Sequence, residues 1–208
     1  MNFTAYYPAT FNGTINQPTE YNKEADLAAA DFMSFSGPKT NTNDNKRNQL
    51  TLTMNRLMAR VVVEIAAFND QYTTNATVNS LSIWGVKAFK QEKDGKSYFY
   101  ALIEPNYTSS TAPFLSLEVK DGESTTTETL TTTPTFTAGK SYTYQLKVGK
   151  NKISVSGITV APWNTKEITP DDNKAKYTPF IIIHRILKSF DGVMIFFHLK
   201  LLLLISSK

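Results

Sequence analysis

The alternation of hydrophobic and polar positions is clearest between residues 48 and 68. Two runs there, Leu50–Met54 and Ala59–Ala67, repeat with period two and are joined by a short hinge at Asn55–Met58. In the second run one face is apolar and β-branched, with the residues Val61, Val63 and Ile65. Such alternation is typical of strands with one buried face, so this stretch is predicted to set the register for its neighbours. Arg60 and Glu64 fall on the opposite, solvent-facing side.

Strand-like segments separated by turn residues continue along the rest of the chain. Further strands are predicted at residues 3–7, 78–89, 98–103, 114–119, 142–148 and 153–160. Asp94-Gly95 and Asp121-Gly122 are turn signals, and the Thr-rich segment Ser124–Thr135 suits an edge strand or an exposed loop. Ala25–Met33 has helix-forming composition but is short, which predicts a single docked helical turn.

About eight short strands with no βαβ rhythm predict an antiparallel sandwich or barrel. We assign the fold class as all-β: an antiparallel β-sandwich of transthyretin-like or Greek-key type, with a short helical turn and an extraneous apolar tail. Residues 1–47 are predicted to be the end of an N-terminal β region, residues 48–176 the sandwich domain, and residues 177–208 the tail. No signal peptide opens the sequence. Two accounts fit this start: a cytoplasmic protein, or Met1 as an internal start. Because the chain starts in what resembles mid-strand, we favour the internal start.

Composition and charge narrow the function classes. The chain has 208 residues, of which 41% are hydrophobic and 12% aromatic, so it can bury a core. It contains no cysteine, which excludes thiol catalysis and disulfides. The formal net charge is +4, but residues 180–208 alone contribute +3. The remaining chain is nearly neutral and lacks the basic stripe that nucleic-acid binding requires.

The C-terminal stretch Phe180–Ile205 differs in composition from everything before it. A membrane span needs about 20 mostly apolar residues. Arg185, Lys188, Asp191 and Lys200 interrupt every such window, at about 2.5–3.5 kcal/mol for each central charge. A spanning helix and an interfacial anchor are the alternatives. We favour translation past a disrupted stop codon or through a frameshift, appended to a domain that ends near residue 176.

Motifs for catalysis or metal binding are sparse. Both histidines, His184 and His198, lie in the tail, which argues against a His-based triad or zinc site. Gly139-Lys140-Ser141 resembles the end of a phosphate loop, but Pro134 stands where the first glycine of that motif would fall. A turn entering a strand is the favoured interpretation of that segment.

The carboxylates and aromatic residues do not define a site either. Glu64 and Glu104 are the acidic residues within strand-like apolar runs, and each is predicted to lie on a solvent face. Trp84, Trp163 and the ten tyrosines offer material for a sugar-stacking platform, although aromatic residues in sandwiches more often pack in the core. No catalytic, cofactor-binding or metal-binding residue is predicted, and the protein is expected not to be an enzyme.

Five segments occur in an order and at a spacing that resemble a known family. They are Phe3–Pro8 (FTAYYP), Asp26–Ala30 (DLAAA), Leu52–Ile65, Ala101–Pro105 (ALIEP), and Gly139–Leu146 continuing to Pro162-Trp163-Asn164. Together they resemble the fimbrillin family, the Mfa-like and major-fimbrillin-like proteins of anaerobic Gram-negative bacteria. Two positions depart from the family pattern: its frequent histidine falls at Asn55, and the second segment lacks the family tyrosine.

The resemblance implies a secreted lipoprotein of the cell outer membrane that serves as a structural or adhesive subunit of fimbriae (pili). Such subunits polymerise by strand exchange after proteolysis removes an N-terminal strand. Their partners are other fimbrial subunits, in a homo- or hetero-polymer, with host or bacterial surface glycans or proteins as further candidates. No cofactor and no nucleic acid are implied, and the lipid anchor is expected outside this chain. The alternative is a surface glycan-binding lipoprotein domain, which needs Trp84 exposed.

Overall fold

The computed structural model describes residues 2–38, 53–163, 187–190 and 193–196, the last two ranges by their backbone alone. The elements before residue 60 are β1 (Asn2–Tyr7), α1 (Glu24–Ala29), β2 (Met33–Pro38), β3 (Asn55–Arg56) and β4 (Ala59–Phe68). Next come β5 (Thr77–Ile83), β6 (Val86–Lys87), β7 (Phe89–Lys93), β8 (Lys96–Ile103) and β9 (Leu115–Asp121). The last are β10 (Ser124–Leu130), β11 (Lys140–Gly149), β12 (Lys152–Pro162), β13 (Leu187–Phe190) and β14 (Val193–Phe196).

Two sheets pack face to face, which confirms the predicted all-β sandwich. The larger sheet has the strand order β12-β11-β4-β8-β7 and the smaller one β10-β9-β5-β6. All pairs in the two sheets are antiparallel except β4 with β11, which run parallel. A third sheet, β1-β2-β3, lies at the N-terminal side, and β13 pairs with β14.

The core lies between the two sheets and consists of the inward residues of each. Val61 and Val63 of β4 are fully buried, as the alternation predicted. Phe114 is the centre of an aromatic group, with its ring 5.4 Å from that of Trp84 and 5.3 Å from that of Tyr144. Tyr21, from the loop before α1, also packs into this core, and its hydroxyl donates a hydrogen bond of 2.7 Å to the carbonyl of Leu102.

Several predicted elements are confirmed where the chain is described. Residues 3–7 lie in β1, and the helical turn is α1. Asp94 and Gly95 both have positive φ, 53° and 74°, in the two-residue turn that joins β7 to β8. Ser124–Leu130 forms an edge strand of the smaller sheet.

Two predicted segments differ from the structure. The single strand expected over residues 78–89 divides into β5 and β6 and the start of β7, because Trp84 and Gly85 adopt positive φ, 49° and 84°, and reverse the chain. The expected hinge Asn55–Met58 instead begins with β3, which pairs with β2. Residues 50–52 of the predicted strand Leu50–Met54 lie outside the described residues, and Met54 itself is not in a strand.

The domain division at residues 47 and 176 stays a prediction, and most of the tail lies outside the described residues. Within the described ranges, none of the helices has the length and apolar character needed to cross a membrane.

Candidate functional site

Strand β12 forms one edge of the larger sheet. It pairs with β11 along its whole length, from Lys152 opposite Gly149 to Pro162 opposite Lys140. Among the described residues, no strand pairs with its other side. An unpaired edge presents backbone N–H and C=O groups to which a further strand can add. At eleven residues, β12 is the longest strand in the described part of the chain.

The apolar side chains of β12 face the core side of the sheet. Their partners across the pair are the buried residues of β11: Ile153 is opposite Val148, Val155 opposite Leu146, Ile158 opposite Tyr144, and Val160 opposite Tyr142. A strand alternates with period two, so odd-numbered and even-numbered positions would normally fall on opposite faces. A register shift between Gln145 and Leu146 leaves Ser156 as an extra residue on β12. This bulge keeps all four apolar residues on one face.

Burial along this row decreases in one direction. Ile153 is buried, whereas Val155 is 38% exposed, Ile158 57% and Val160 55%. Val155, Ile158 and Val160 are hereafter called the apolar row. They are exposed because the smaller sheet ends at β10, which contacts β12 but does not cover it. The result is a row of exposed apolar side chains beside the open edge of β12.

A buried carboxylate ties the hairpin end of β12 to the smaller sheet. Glu128 of β10 is 3% exposed and accepts a hydrogen bond of 2.7 Å from the Tyr72 hydroxyl. Its other oxygen accepts one of 2.6 Å from the backbone N–H of Asn151, in the turn between β11 and β12. Asn151 has a φ of 59°, which asparagine tolerates better than most residues. Glu128 therefore fixes the start of β12 to the opposite sheet.

An ion pair holds the other end of β12. Arg56 donates from Nε to Asp31 Oδ1 and from Nη2 to Asp31 Oδ2, both at 2.9 Å, and from Nη1 to the carbonyl oxygen of Trp163 at 2.9 Å. Its guanidinium carbon lies 4.2 Å from the centre of the Trp163 ring. Burial raises the pKa of Asp31 above its ordinary value, and the hydrogen bond from Arg56 partly offsets this effect. We call this group the Arg56 clasp.

The acidic residues singled out from the sequence do not form a pair. Glu64 is only 6% exposed, so the predicted solvent exposure was wrong: Lys96 Nζ lies 2.5 Å from its Oε1, and Gln145 donates to Oε2 at 3.2 Å. The hydrogen bond from Lys96 lowers the pKa of Glu64. Glu104 is half-buried and lies six residues beyond Tyr98, the partner of Glu64 on β8. That spacing separates the two carboxylates by about 20 Å, too far for a glycosidase pair.

The other candidates from the sequence have roles in packing or in turns. Trp84 is 4% exposed and packs on Phe114 and Phe136, which rules it out as an exposed stacking platform. Gly139 has a φ of 71° and begins the turn into β11, as favoured over a phosphate loop. Within the described ranges, no three acidic or histidine side chains lie close enough together to hold a metal ion.

These features define the fold class of the protein. A two-sheet sandwich carries many unrelated functions, so the architecture alone fixes only the fold class. The comparison with family models identifies the class more closely, because the fimbrillin-like model matches residues 1–163. The chain therefore belongs to the fimbrillin-like family.

Solved structures similar to this chain include three candidate cell adhesion proteins. The protein from Bacteroides ovatus is 13% identical, with a TM-score of 0.48 over 80% of this chain and 69% of that one. The protein from Bacteroides uniformis is 15% identical, with a TM-score of 0.45 over 78% and 72%. The protein from Bacteroides eggerthii is 15% identical, with a TM-score of 0.39 over 68% of each chain. No curated protein matches the chain.

Proposed function

We propose that this protein is a subunit of a surface fimbrium that joins its neighbour by strand exchange, with β12 as the acceptor edge. Membership of the fimbrillin-like family supports the fimbrial role. The observation that carries the proposal is the apolar row, which lies beside an open strand edge on the core side of the sheet. The occupant is an extended strand of a second subunit.

The length of the apolar row suits a short strand. From Val155 to Val160 the edge extends about 17 Å, enough for about five residues of an incoming strand. Full burial of one Val or Ile side chain is worth about 1.5–3 kcal/mol, and about half of that remains available at each member of the apolar row. Completing their burial thus contributes about 3 kcal/mol, in addition to the backbone hydrogen bonds along the edge.

Cross-linking of the full chain tests this assembly mode. A photoreactive residue at position 158 would lie in the apolar row, on the core side of the sheet. The same residue at position 159 would lie on the opposite face of the same strand. We expect Ile158 to cross-link to a second subunit and Thr159 to do so far less. Val160→Lys should weaken the Ile158 cross-link, because a charge would then occupy the apolar site. Equal cross-linking from both positions would overturn the acceptor role of β12.

The cellular setting follows from the same proposal. A fimbrial subunit acts at the cell surface, and we propose export and attachment to the outer membrane through a lipid anchor, as the resemblance implied. Fractionation of the native host with an antibody against the folded sandwich checks this location. Recovery of the protein only from the cytoplasmic fraction would contradict it.

A further inference from the structure

The larger sheet has a second face, turned away from the core. In the register of the central strands, the residues pointing outward are Arg60, Val62 and Glu64 of β4, Tyr98, Tyr100 and Leu102 of β8, and Ser141, Thr143 and Gln145 of β11. Val62, Leu102 and Ser141 are buried among their neighbours, and the others apart from Glu64 are partly or fully exposed. We call this set the outer face. It lies opposite the apolar row across the thickness of the sheet, so a function located there is separate from assembly.

Arg60 carries a positive charge that forms no salt bridge of its own with the described residues. Its Nε donates to the Ser141 hydroxyl at 2.9 Å, but within the described ranges neither Nη atom has a hydrogen-bond partner. Asp31, the carboxylate whose charge acts on Arg60, is already bound in a bidentate pair by Arg56. Partial burial lowers the pKa of Arg60; the charges of Tyr100 and Asp31 oppose this shift, whereas the charge of Arg56 adds to it. An external anion at the Nη atoms would relieve this excess of positive charge.

Two aromatic residues lie near this guanidinium. The Trp163 ring lies 5.5 Å from its central carbon, and Tyr100 is close enough for its charge state to be coupled to that of Arg60. The Tyr100 and Tyr98 rings follow along β8, with centres 6.4 Å apart and planes inclined by 30°. Both tyrosines are half-buried, so part of each ring is accessible on the outer face.

Polar groups lie beside Tyr98, at the end of the outer face away from Arg60. Glu64, Lys96 and Gln145 form a connected group next to Tyr98, and Gln145 is itself exposed. Along β4, Glu64 lies four positions after Arg60, a distance of about 13 Å. The outer face therefore combines one anion-binding group, two flat rings and several hydrogen-bonding side chains within the length of a short oligosaccharide.

We propose that the outer face binds a saccharide that carries a carboxylate, with the carboxylate on Arg60 and sugar rings on Tyr100 and Tyr98. The backbone groups of β4, β8 and β11 are paired within the sheet. An extended peptide on this face would leave its own backbone groups unpaired, whereas a sugar brings an apolar C–H face and hydroxyls that water can also satisfy. Uronate sugars and sialic acids share the required chemistry.

Calorimetric titration of the full chain tests the proposal, with trigalacturonate as one probe and sialyllactose as the other. The methyl ester of trigalacturonate and neutral lactose serve as uncharged controls. We expect at least one acidic probe to bind and its uncharged control to bind about tenfold more weakly, since a hydrogen bond to a charged group is lost. Which acidic probe binds more tightly identifies the source of the carboxylate.

Variants locate the site. Arg60→Gln should weaken binding about tenfold and Tyr98→Ala by about three- to tenfold. Lys120→Gln removes an exposed cation of the smaller sheet and should change the dissociation constant less than about twofold. Unchanged melting temperatures show that the variants fold. The comparison of acid with ester uses the unmodified protein, so it does not depend on the folding of any variant. The proposal fails if neither acidic probe binds, if ester and acid bind equally, if Lys120→Gln matches Arg60→Gln, or if an acidic pentapeptide binds more tightly through Arg60.

Discussion

Replacing Arg56 by Met removes the cation of the Arg56 clasp and leaves Asp31 buried without its partner. The two side chains are 12% and 14% exposed, so the carboxylate has little access to water. Breaking a buried ion pair from one side costs about 3–5 kcal/mol, because the remaining charge is uncompensated. Since Met fills much of the volume of the Arg side chain, the loss of packing is small. We expect Arg56→Met to lower the free energy of unfolding by about 3 kcal/mol.

A double-mutant cycle separates the charge from the packing. Urea unfolding, followed by tryptophan fluorescence, would be measured for Arg56→Met, Asp31→Asn and the double variant. The double variant should be more stable than Arg56→Met by about 1–2 kcal/mol, because the unpaired carboxylate is gone. Lys120→Met, an exposed cation without such a partner, should change stability by less than about 0.5 kcal/mol.

The pH dependence gives a second test of the same reasoning. Burial already raises the pKa of Asp31 when Arg56 is present, and removing Arg56 should raise it further. For an acid with a folded-state pKa above the unfolded one, the destabilisation is present at high pH and is relieved as pH falls through the folded pKa. The stability gap between Arg56→Met and the unmodified protein should therefore narrow in acid. A constant gap between about pH 7 and pH 4, with a coupling energy below about 0.5 kcal/mol, would refute the argument.

Three further predictions concern the sandwich itself. The pKa of Glu64 is lowered from its ordinary value of 4.5, so its contribution to stability is present above pH 4.5 and is lost as pH falls through the folded-state pKa. Glu64→Gln should therefore flatten this part of the pH profile of urea unfolding. An unchanged profile would contradict the role of Lys96. Phe114→Ala should cost about 3–5 kcal/mol in the same assay, since the ring is 1% exposed, and a cost below about 1 kcal/mol would show that the aromatic group repacks. Gly95→Ala should cost about 1 kcal/mol because φ is +74° with open space around the Cβ position, whereas an unchanged midpoint would mean that the turn relaxes.

The positions of most strands could be predicted because alternation is a local signal. Val61 and Val63 are buried as the period-two pattern requires, and the Asp94-Gly95 turn follows from residue chemistry alone. The pairing of strands is not local. Alternation shows which side chains point inward but not which strand lies alongside, so the parallel contact of β4 with β11 left no mark in the pattern.

The candidate sites required the topology as well. Val155, Ile158 and Val160 resemble core positions in the sequence, and they are exposed only because β12 is an edge strand beyond the reach of β10. The face of Glu64 was predictable, but its burial depends on Lys96 and Gln145 from the two neighbouring strands. Arg60 and Trp163 are likewise brought together only by the fold. Trp84 is buried because the turn at positive φ directs the ring inward, which no spacing rule predicts.

The parallel pairing of β4 with β11 has a consequence for how the chain is made. Arg60 and Ser141, which lie side by side in the sheet, are 81 positions apart in the chain. While the polypeptide is still being synthesised, one side of β4 has no neighbour until β11 leaves the ribosome. Pairing between strands so far apart in the chain slows folding and prolongs the exposure of an aggregation-prone apolar strand. Nascent chains arrested before residue 140 should consequently aggregate or recruit chaperones, whereas chains arrested well after residue 163 should not.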